Sequence, residues 1–513
     1  MDPAFKSVKL PLEIKPELIS LPTRGARVCR CTLVRKGKRP PGLISFLKNI
    51  KAMTDYYCIT GYIRSVDPHA ENIRFEVAIP LHWNGKAIHQ GGGGLDGFIP
   101  RSTGSAMCAA HPEGKDALFK GYAVFGSDSG HNYPPFNNTD CKWSLIQEAL
   151  ENFTHKSLKK TYDVAMQIIA AYCGTKPEKV YFFGGSNGGR ECFKAVENWP
   201  EDYEGAVCFF PVLQYTLQLL KANRDVDVLE RLGNSAMISK EQCAQIAQVV
   251  SQVLDADDGT IDGFYSEEDL SPEQETRVLA ALEKILTDPQ LEFLKVLASE
   301  YRLPYNLPRG DDRIYGYPVL KGCNPFGYYG SSPQKRNSYV AAVAKNVISC
   351  MIMKDPTFDA RNFNAADYPE QVQELSRLLD ADDCNLDGFF NRDGKMILVH
   401  GNLDPLVCFS STRRYYERLQ EKYGEKLRDH MAFFYAPGYG HGGGGPMWYY
   451  ADMLNTLEGW TEEGKRPKVL VMEDINEQTK GRTRPLYEYP HYAVYSGFGD
   501  MNDAQNYIPN SLD

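Results

Sequence analysis

The sequence predicts an α/β fold, a mostly parallel sheet with helices on both faces and one large insertion. Three observations point to it. A run from Tyr122 to Phe210 alternates strand, helix, strand, glycine-rich turn, helix and strand, the βαβ rhythm of a parallel sheet. That rhythm stops between about Pro211 and Asp393, where the chain turns helical and acidic, as in Pro272 to Leu297. It resumes at Lys395-Met396-Ile397-Leu398-Val399 and at Met431 to Tyr435, two further apolar strands. The expected organisation is therefore one sheet domain of residues 1–211 and 394–513, with residues 212–393 inserted as a lid domain.

The element that gives the sheet its chemistry is Val180 to Arg190. An aromatic and β-branched run breaks into Gly184-Gly185-Ser186-Asn187-Gly188-Gly189 and then into a helix-compatible segment, Glu191 to Asn198. Gly184, Ser186 and Gly188 form G-x-S-x-G. A serine on so tight a strand-to-helix turn needs small residues two places either side, and the amide that follows it can face an oxyanion.

Upstream, Tyr57 to Val66 and Ile73 to Ile79 read as strands, and residues 1 to about 50, rich in Pro and Lys, as irregular. Lys86 to Gln90 is a short strand ending in four glycines, Gly91 to Gly94, whose amides no side chain covers. Gly93 and Asn187 are the two expected oxyanion donors. Lys142 to Tyr172 has helical apolar spacing. Downstream, Asp404 and His441 each follow a predicted strand, where open parallel sheets place their chemistry. Ser186, Asp404, His441 is the chain order of an α/β-hydrolase triad: the imidazole takes the serine proton, and the carboxylate fixes its tautomer. His400 lies inside a strand and reads as a core residue; His131 precedes the serine and would break the order.

Other chemistries are disfavoured. With a net charge of -9 over 513 residues the chain lacks the basic face that nucleic acid or an anionic membrane requires, and no apolar run approaches the ~20 residues of a membrane helix. Thirteen cysteines without zinc-type spacing read as reduced thiols, and Met1 to Lys6 lacks a charged-then-apolar leader, so a cytoplasmic protein is expected, or a secreted one if a leader has been trimmed. Two acidic stretches, Leu254 to Phe264 and Leu379 to Phe389, repeat a D-A-D-D pattern. Crowded carboxylates in a turn suit a hard cation such as Ca²⁺, although neither is a complete EF-hand loop and the second leaves metal binding open.

On these motifs, together with Leu81 to Lys86, Gly121 to Val124, Asp128 to His131, Pro200 to Gly205, Asp404-Pro405-Leu406, Pro437 to His441 and Arg484-Pro485-Leu486, the chain resembles the tannase and feruloyl esterase family of α/β-hydrolases. The resemblance runs from about Phe75 to Asn506. It implies the triad Ser186, Asp404 and His441, a lid, and a structural Ca²⁺ held by Asp255, Asp258, Asp262 and the carbonyls of Thr260 and Phe264. It also implies hydrolysis of small-molecule phenolic esters without an organic cofactor. Secreted members carry cysteines beside the serine and the histidine, where this chain has Gly185 and Gly442; Leu254, Tyr487 and Pro509 stand at other cysteine positions. The competing expectations are an intracellular acyltransferase or biosynthetic hydrolase with the same triad, and a calcium-dependent binding protein on an inactive scaffold.

Overall fold

The computed structural model describes residues 9–41, 50–103, 115–132, 139–329, 338–443 and 445–511; the first eight residues, on which the expectation about a leader rests, lie outside them. The chain forms two compact units. The first comprises Met1–Phe209, Asn385–Ile397 and Asp452–Arg466, the second Phe210–Cys384, Leu398–Ala451 and Pro467–Asp513.

In the first unit, β1 (Leu12–Ile14), β2 (Ala26–Val34), β3 (Tyr56–Ile63), β4 (Ile73–Pro80), β5 (Lys86–Gln90), β6 (Ala123–Ser127), β7 (Lys179–Gly185) and β8 (Gly205–Phe209) build a sheet in the order β1-β2-β3-β4-β6-β5-β7-β8. From β1 to β6 the pairs are antiparallel; β6, β5, β7 and β8 run parallel. The parallel strands are buried along almost their whole length, which is why they read as unbroken apolar runs. The stretch expected to be irregular supplies β1 and β2 instead. Ala26, Val28 and Val34 of β2 are buried, but Cys29 and Arg30 are exposed one after the other at a register shift between Val28 and Arg30, which breaks the alternation, so the apolar signal is diluted.

The segment expected as one helix from Lys142 divides. A 3₁₀ turn (Lys142–Leu145), a short α-helix (Gln147–Glu151) and a π turn (Asn152–Lys156) precede α1 (Ser157–Cys173). The Arg190 guanidinium donates to the carbonyls of Thr154 (2.7 Å) and Phe153 (3.2 Å), an external partner for the widened turn. α1 ends at Gly174, whose φ of 89° gives the left-handed cap. α2 (Asn187–Asn198) follows the serine. The helix Met453–Glu463 is fastened to the sheet by the Tyr181 hydroxyl, which donates to Glu462 (2.7 Å), and by Lys86, 2.7 Å from the same carboxylate.

The second unit contains the helices Tyr215–Leu232, Lys240–Leu254, Pro272–Leu282 and Asp288–Ala298. They close over a core that includes Val226, Leu229, Ile246, Val250, Val278, Leu282, Leu294 and Leu297. Ser239 with Gln242, Ser271 with Gln274 and Thr287 with Gln290 form capping boxes, each satisfying amides that a helix start leaves unpaired. A short hairpin joins β9 (Tyr301–Arg302) to β10 (Arg313–Ile314). β11 (Lys395–Gly401) starts in the first unit, where the Lys395 amide donates to the Glu204 carbonyl (3.3 Å), and ends in the second, beside β12 (Met431–Ala436). β13 (Tyr449–Tyr450), β14 (Val469–Asp474) and β15 (Thr483–Tyr487) make an antiparallel sheet, and β16 (Ala493–Tyr495) pairs with β17 (Tyr507–Pro509). Among the described residues, no helix is long and apolar enough to cross a membrane.

Candidate active site

Ser186 stands between β7 and α2 with φ 60° and ψ -124°, a conformation costly for a residue with a side chain and retained where the surroundings enforce it. Its amide donates to the Phe209 carbonyl at the end of β8 (3.1 Å). The glycines of the motif are required by contact. A Cβ at Gly184 would lie 2.0 Å from the Gly188 carbonyl oxygen, and one at Gly188 would lie 2.7 Å from that of Gly92. The glycine run after β5 is thus packed on the first turn of α2. Gly91 and Gly92 spend their amides on the Phe183 carbonyl (2.9 Å) and on Glu191 Oε2 (2.8 Å). The amides of Gly93 and Asn187 take part in none of the described hydrogen bonds, and that of Asn187 is a first-turn donor with no partner within its helix.

Asp404 and His441 come together in the second unit. His441 Nδ1 is 2.7 Å from Asp404 Oδ2, and Asp404 Oδ1 accepts from the amides of Leu406 and Val407, both at 2.8 Å. Burial by itself would raise the Asp404 pKa; His441 and His400 outweigh it and hold the carboxyl well below the usual carboxylate range. Phe210, at φ 35°, sets its ring 4.4 Å from that of His441. Gly401 is obligatory, since a Cβ there would lie 2.1 Å from the Tyr439 carbonyl oxygen.

Sequence reasoning missed two supports. His400 is buried in β11 as expected and hydrogen-bonds Thr412 Oγ1 (2.9 Å) and the Val407 carbonyl (3.1 Å), yet its Nε2 also comes within 3.5 Å of Asp404 Oδ2. Asn402 accepts from the Gly438 amide (2.8 Å) and donates to the Tyr265 carbonyl (2.9 Å), so it ties the histidine loop to the segment after the first acidic loop. Its place two residues before Asp404 was the available signal. His131, the rival base, is buried; its Nε2 donates to the Leu95 carbonyl (2.8 Å), its ring stacks on Trp143 at 3.7 Å, and burial lowers its pKa to about 4.

In the first acidic loop, Asp255 Oδ1 accepts from the amides of Asp262 (3.1 Å) and Gly263 (2.9 Å), while Asp258 accepts from those of Thr260 (3.0 Å) and Ser266 (2.6 Å). Asp262 Oδ2 is bound by Arg484 (3.0 Å), and its buried Oδ1 has no hydrogen-bond partner. The Thr260 hydroxyl accepts from the Tyr495 amide (3.3 Å), which leaves the Thr260 carbonyl as its candidate ligand. Burial, aided by Asp262, raises the Asp258 pKa to about 7. Among the described residues no three His, Cys, Asp or Glu side chains converge as a metal cage. The donor set nevertheless fits a hard cation: the oxygens are carboxylate and carbonyl, Asp262 Oδ1 is orphaned, and among the described residues no cationic side chain pairs with Asp258. In the second loop Arg309 lies 3.1 Å from Asp383, and Arg418 approaches Asp382 at 3.9 Å, so guanidinium groups meet those carboxylates.

A strained serine between a parallel strand and a helix, in a large sheet flanked by helices, defines the α/β-hydrolase class. The sequence profile described as tannase and feruloyl esterase matches residues 58–509, and the chain belongs to that family; it is a carboxylic ester hydrolase. An uncharacterized esterase of Agrobacterium fabrum is 31% identical over 516 residues, covering 95% of this chain and 90% of that protein. The mono(2-hydroxyethyl) terephthalate hydrolase of Piscinibacter sakaiensis is 25% identical, covering 89% and 85%. The crystal structure of feruloyl esterase B from Aspergillus oryzae superposes with a TM-score of 0.76 at 19% identity, covering 96% of this chain and 98% of that one, a likeness of fold.

Proposed function

We propose that the protein hydrolyses aromatic or phenolic-type carboxylic esters through an acyl-serine intermediate, with Ser186 as nucleophile, His441 as base and Asp404 as its orienting acid. The observation that carries this is the backbone of Ser186, held at φ 60° with its motif glycines forced by contact. Ser186 Oγ attacks the ester carbonyl while His441 Nε2 takes its proton. The alcohol leaves with that proton as the ester C–O bond breaks, and water, deprotonated by the same nitrogen, releases the acid. The unused amides of Gly93 and Asn187 are proposed to receive the oxyanion, each such donor being worth about 3 kcal/mol of barrier. The aromatic acyl class is supported by the family and by the terephthalate monoester in the name of the Piscinibacter relative.

We further propose that Asp255, Asp258, Asp262 and the carbonyls of Thr260 and Phe264 would hold Ca²⁺, whose chemistry there is to neutralise the clustered carboxylates. Phe264 lies against Gly438 of the histidine loop, where a Cβ would be 3.0 Å from its ring, so ordering that loop bears on His441.

Methyl gallate, methyl ferulate, chlorogenate and p-nitrophenyl acetate, each offered to wild type and Ser186→Ala with and without a chelator, test the proposal. Turnover of an aromatic ester that vanishes in Ser186→Ala is the expected result. Turnover of p-nitrophenyl acetate alone would reject the substrate class, and full activity in Ser186→Ala would reject the nucleophile.

A further inference from the structure

Behind the serine turn lies a pair of acids that the mechanism above does not use. Asp96 and Glu191 are 1% and 2% exposed. Asp96 sits at φ 49°, a left-handed backbone that strains a non-glycine residue, and one carboxylate oxygen accepts from the side-chain amide of Asn187. Its other oxygen, Oδ2, is buried without a hydrogen-bond partner and lies so close to Gly92 that a Cβ there would be 2.1 Å away. Glu191 Oε2 accepts from the Gly92 amide (2.8 Å) and lies 3.0 Å from where a Cβ of Gly91 would be. Each acid thus holds one of the two segments proposed to carry the oxyanion donors, and the acids themselves interact.

Two buried carboxylates side by side repel unless one is protonated. Burial first, then Glu191, raises the Asp96 pKa well above the ordinary value; burial likewise raises that of Glu191, against the pull of Arg190 and the Gly92 amide. A proton on Asp96 Oδ2 donated to Glu191 would satisfy the orphaned oxygen. It would complete an unbroken chain from Asn187 through Asp96 and Glu191 to Gly92. The other groups that act on the pair are Arg190 on α2 and the Ser129 side chain, which hydrogen-bonds Asp96; Asp128 and His131, after β6, meet the backbone of Gly97 and Leu95 on either side of Asp96, and His155 lies near Arg190. Arg190 also donates to Asn187 Oδ1 (2.6 Å); burial lowers His131 and His155 to about 4 and raises Asp128 to about 6.

We propose that Asp96 and Glu191 are positioning residues that share one proton and so clamp the Gly92-Gly93 and Asn187 segments in register for the oxyanion. The inference rests on the oxyanion assignment made above. Since the folded-state pKa of the pair is raised, the clamp is intact at low pH and is lost as pH rises through that value. Loss leaves two adjacent anions under the donors and lowers kcat, whereas substrate binding outside the hole is spared.

The test is the pH profile of p-nitrophenyl acetate hydrolysis, with active sites counted by fluorophosphonate titration so that misfolded protein is discounted. Asp96→Ala is expected to lower kcat at neutral pH about 10- to 100-fold per titrated site, with KM within about twofold. Asp96→Asn, whose amide can donate to Glu191 permanently, is expected to restore most of that loss and to lack the alkaline fall of kcat expected of the wild type. An unchanged alkaline limb in Asp96→Asn, or full kcat in Asp96→Ala, would overturn the clamp while an inactive Ser186→Ala leaves the esterase assignment standing. Activity surviving in Ser186→Ala would overturn both.

Discussion

His441 Nδ1 and Asp404 Oδ2 are 2.7 Å apart, and the other oxygen of Asp404 is held by two backbone amides. With both oxygens committed, the carboxylate cannot rotate away, and the imidazole presents its Nε2 in one tautomer. Asp404→Asn keeps the shape but can place an N–H against Nδ1 and favour the wrong tautomer. We expect kcat to fall about 10³- to 10⁴-fold with KM little changed. Steady-state kinetics on the best ester of the panel decide it, and a loss below tenfold would remove Asp404 from the role.

Gly184→Ala tests the elbow through stability. The added methyl would meet the Gly188 carbonyl carbon at 2.4 Å and its oxygen at 2.0 Å, backbone atoms that cannot swing aside. A destabilisation on the order of 3 kcal/mol is expected, read as a lower urea midpoint with unchanged slope. Gly37→Ala, where no described atom lies within 4 Å, is the control; its φ of 76° costs strain that Gly184 does not carry, so any excess loss in Gly184→Ala is a lower bound on the contact.

The first acidic loop gives a pH signature. With Asp258 near 7 when folded against about 3.9 unfolded, its protonated form stabilises fully at acid pH, and that contribution is lost as pH rises through 7. Ca²⁺ must displace this proton, so its affinity should grow with pH. Melting temperatures should therefore show a calcium-dependent rise larger at pH 8 than at pH 6, and Asp258→Asn should abolish that difference. A pH-independent response to calcium would place the ion elsewhere.

What the sequence made legible follows from range. β7 and β11 are short, buried and largely apolar and end in glycine, and β5, also short and mostly buried, runs straight into Gly91, so local pattern sufficed to find them and to place Gly93, Ser186 and Asp404 near their ends. β2 escaped because its outer face is basic and its register shifts. The contacts of Asp96 with Asn187 and of Glu191 with Gly92 span many residues, and no local period encodes them. The acidic loops showed the opposite failure: the same D-A-D-D pattern recurs, but Arg309 and Arg418 stand against Asp383 and Asp382 of the second copy, whereas Asp258 of the first is met by the backbone amides of Thr260 and Ser266. The difference lies in what packs against the loop.

Asn402 joins the histidine loop to the acidic loop, and its removal should expose that link. Its side chain is buried and bonded at both ends, to the Gly438 amide and the Tyr265 carbonyl. Asn402→Ala strands both backbone groups, at about 1 to 3 kcal/mol for each buried group left unpaired, so a lower melting temperature is expected. The more telling readout is calcium. If Gly438 and Tyr265 are coupled through Asn402, adding Ca²⁺ should raise kcat in the wild type, because ordering one loop steadies the other. The same addition should stabilise Asn402→Ala without raising its kcat. Equal gains in kcat for both proteins would show that the acidic loop acts on His441 by another route, with Phe264 against Gly438 the remaining contact to vary.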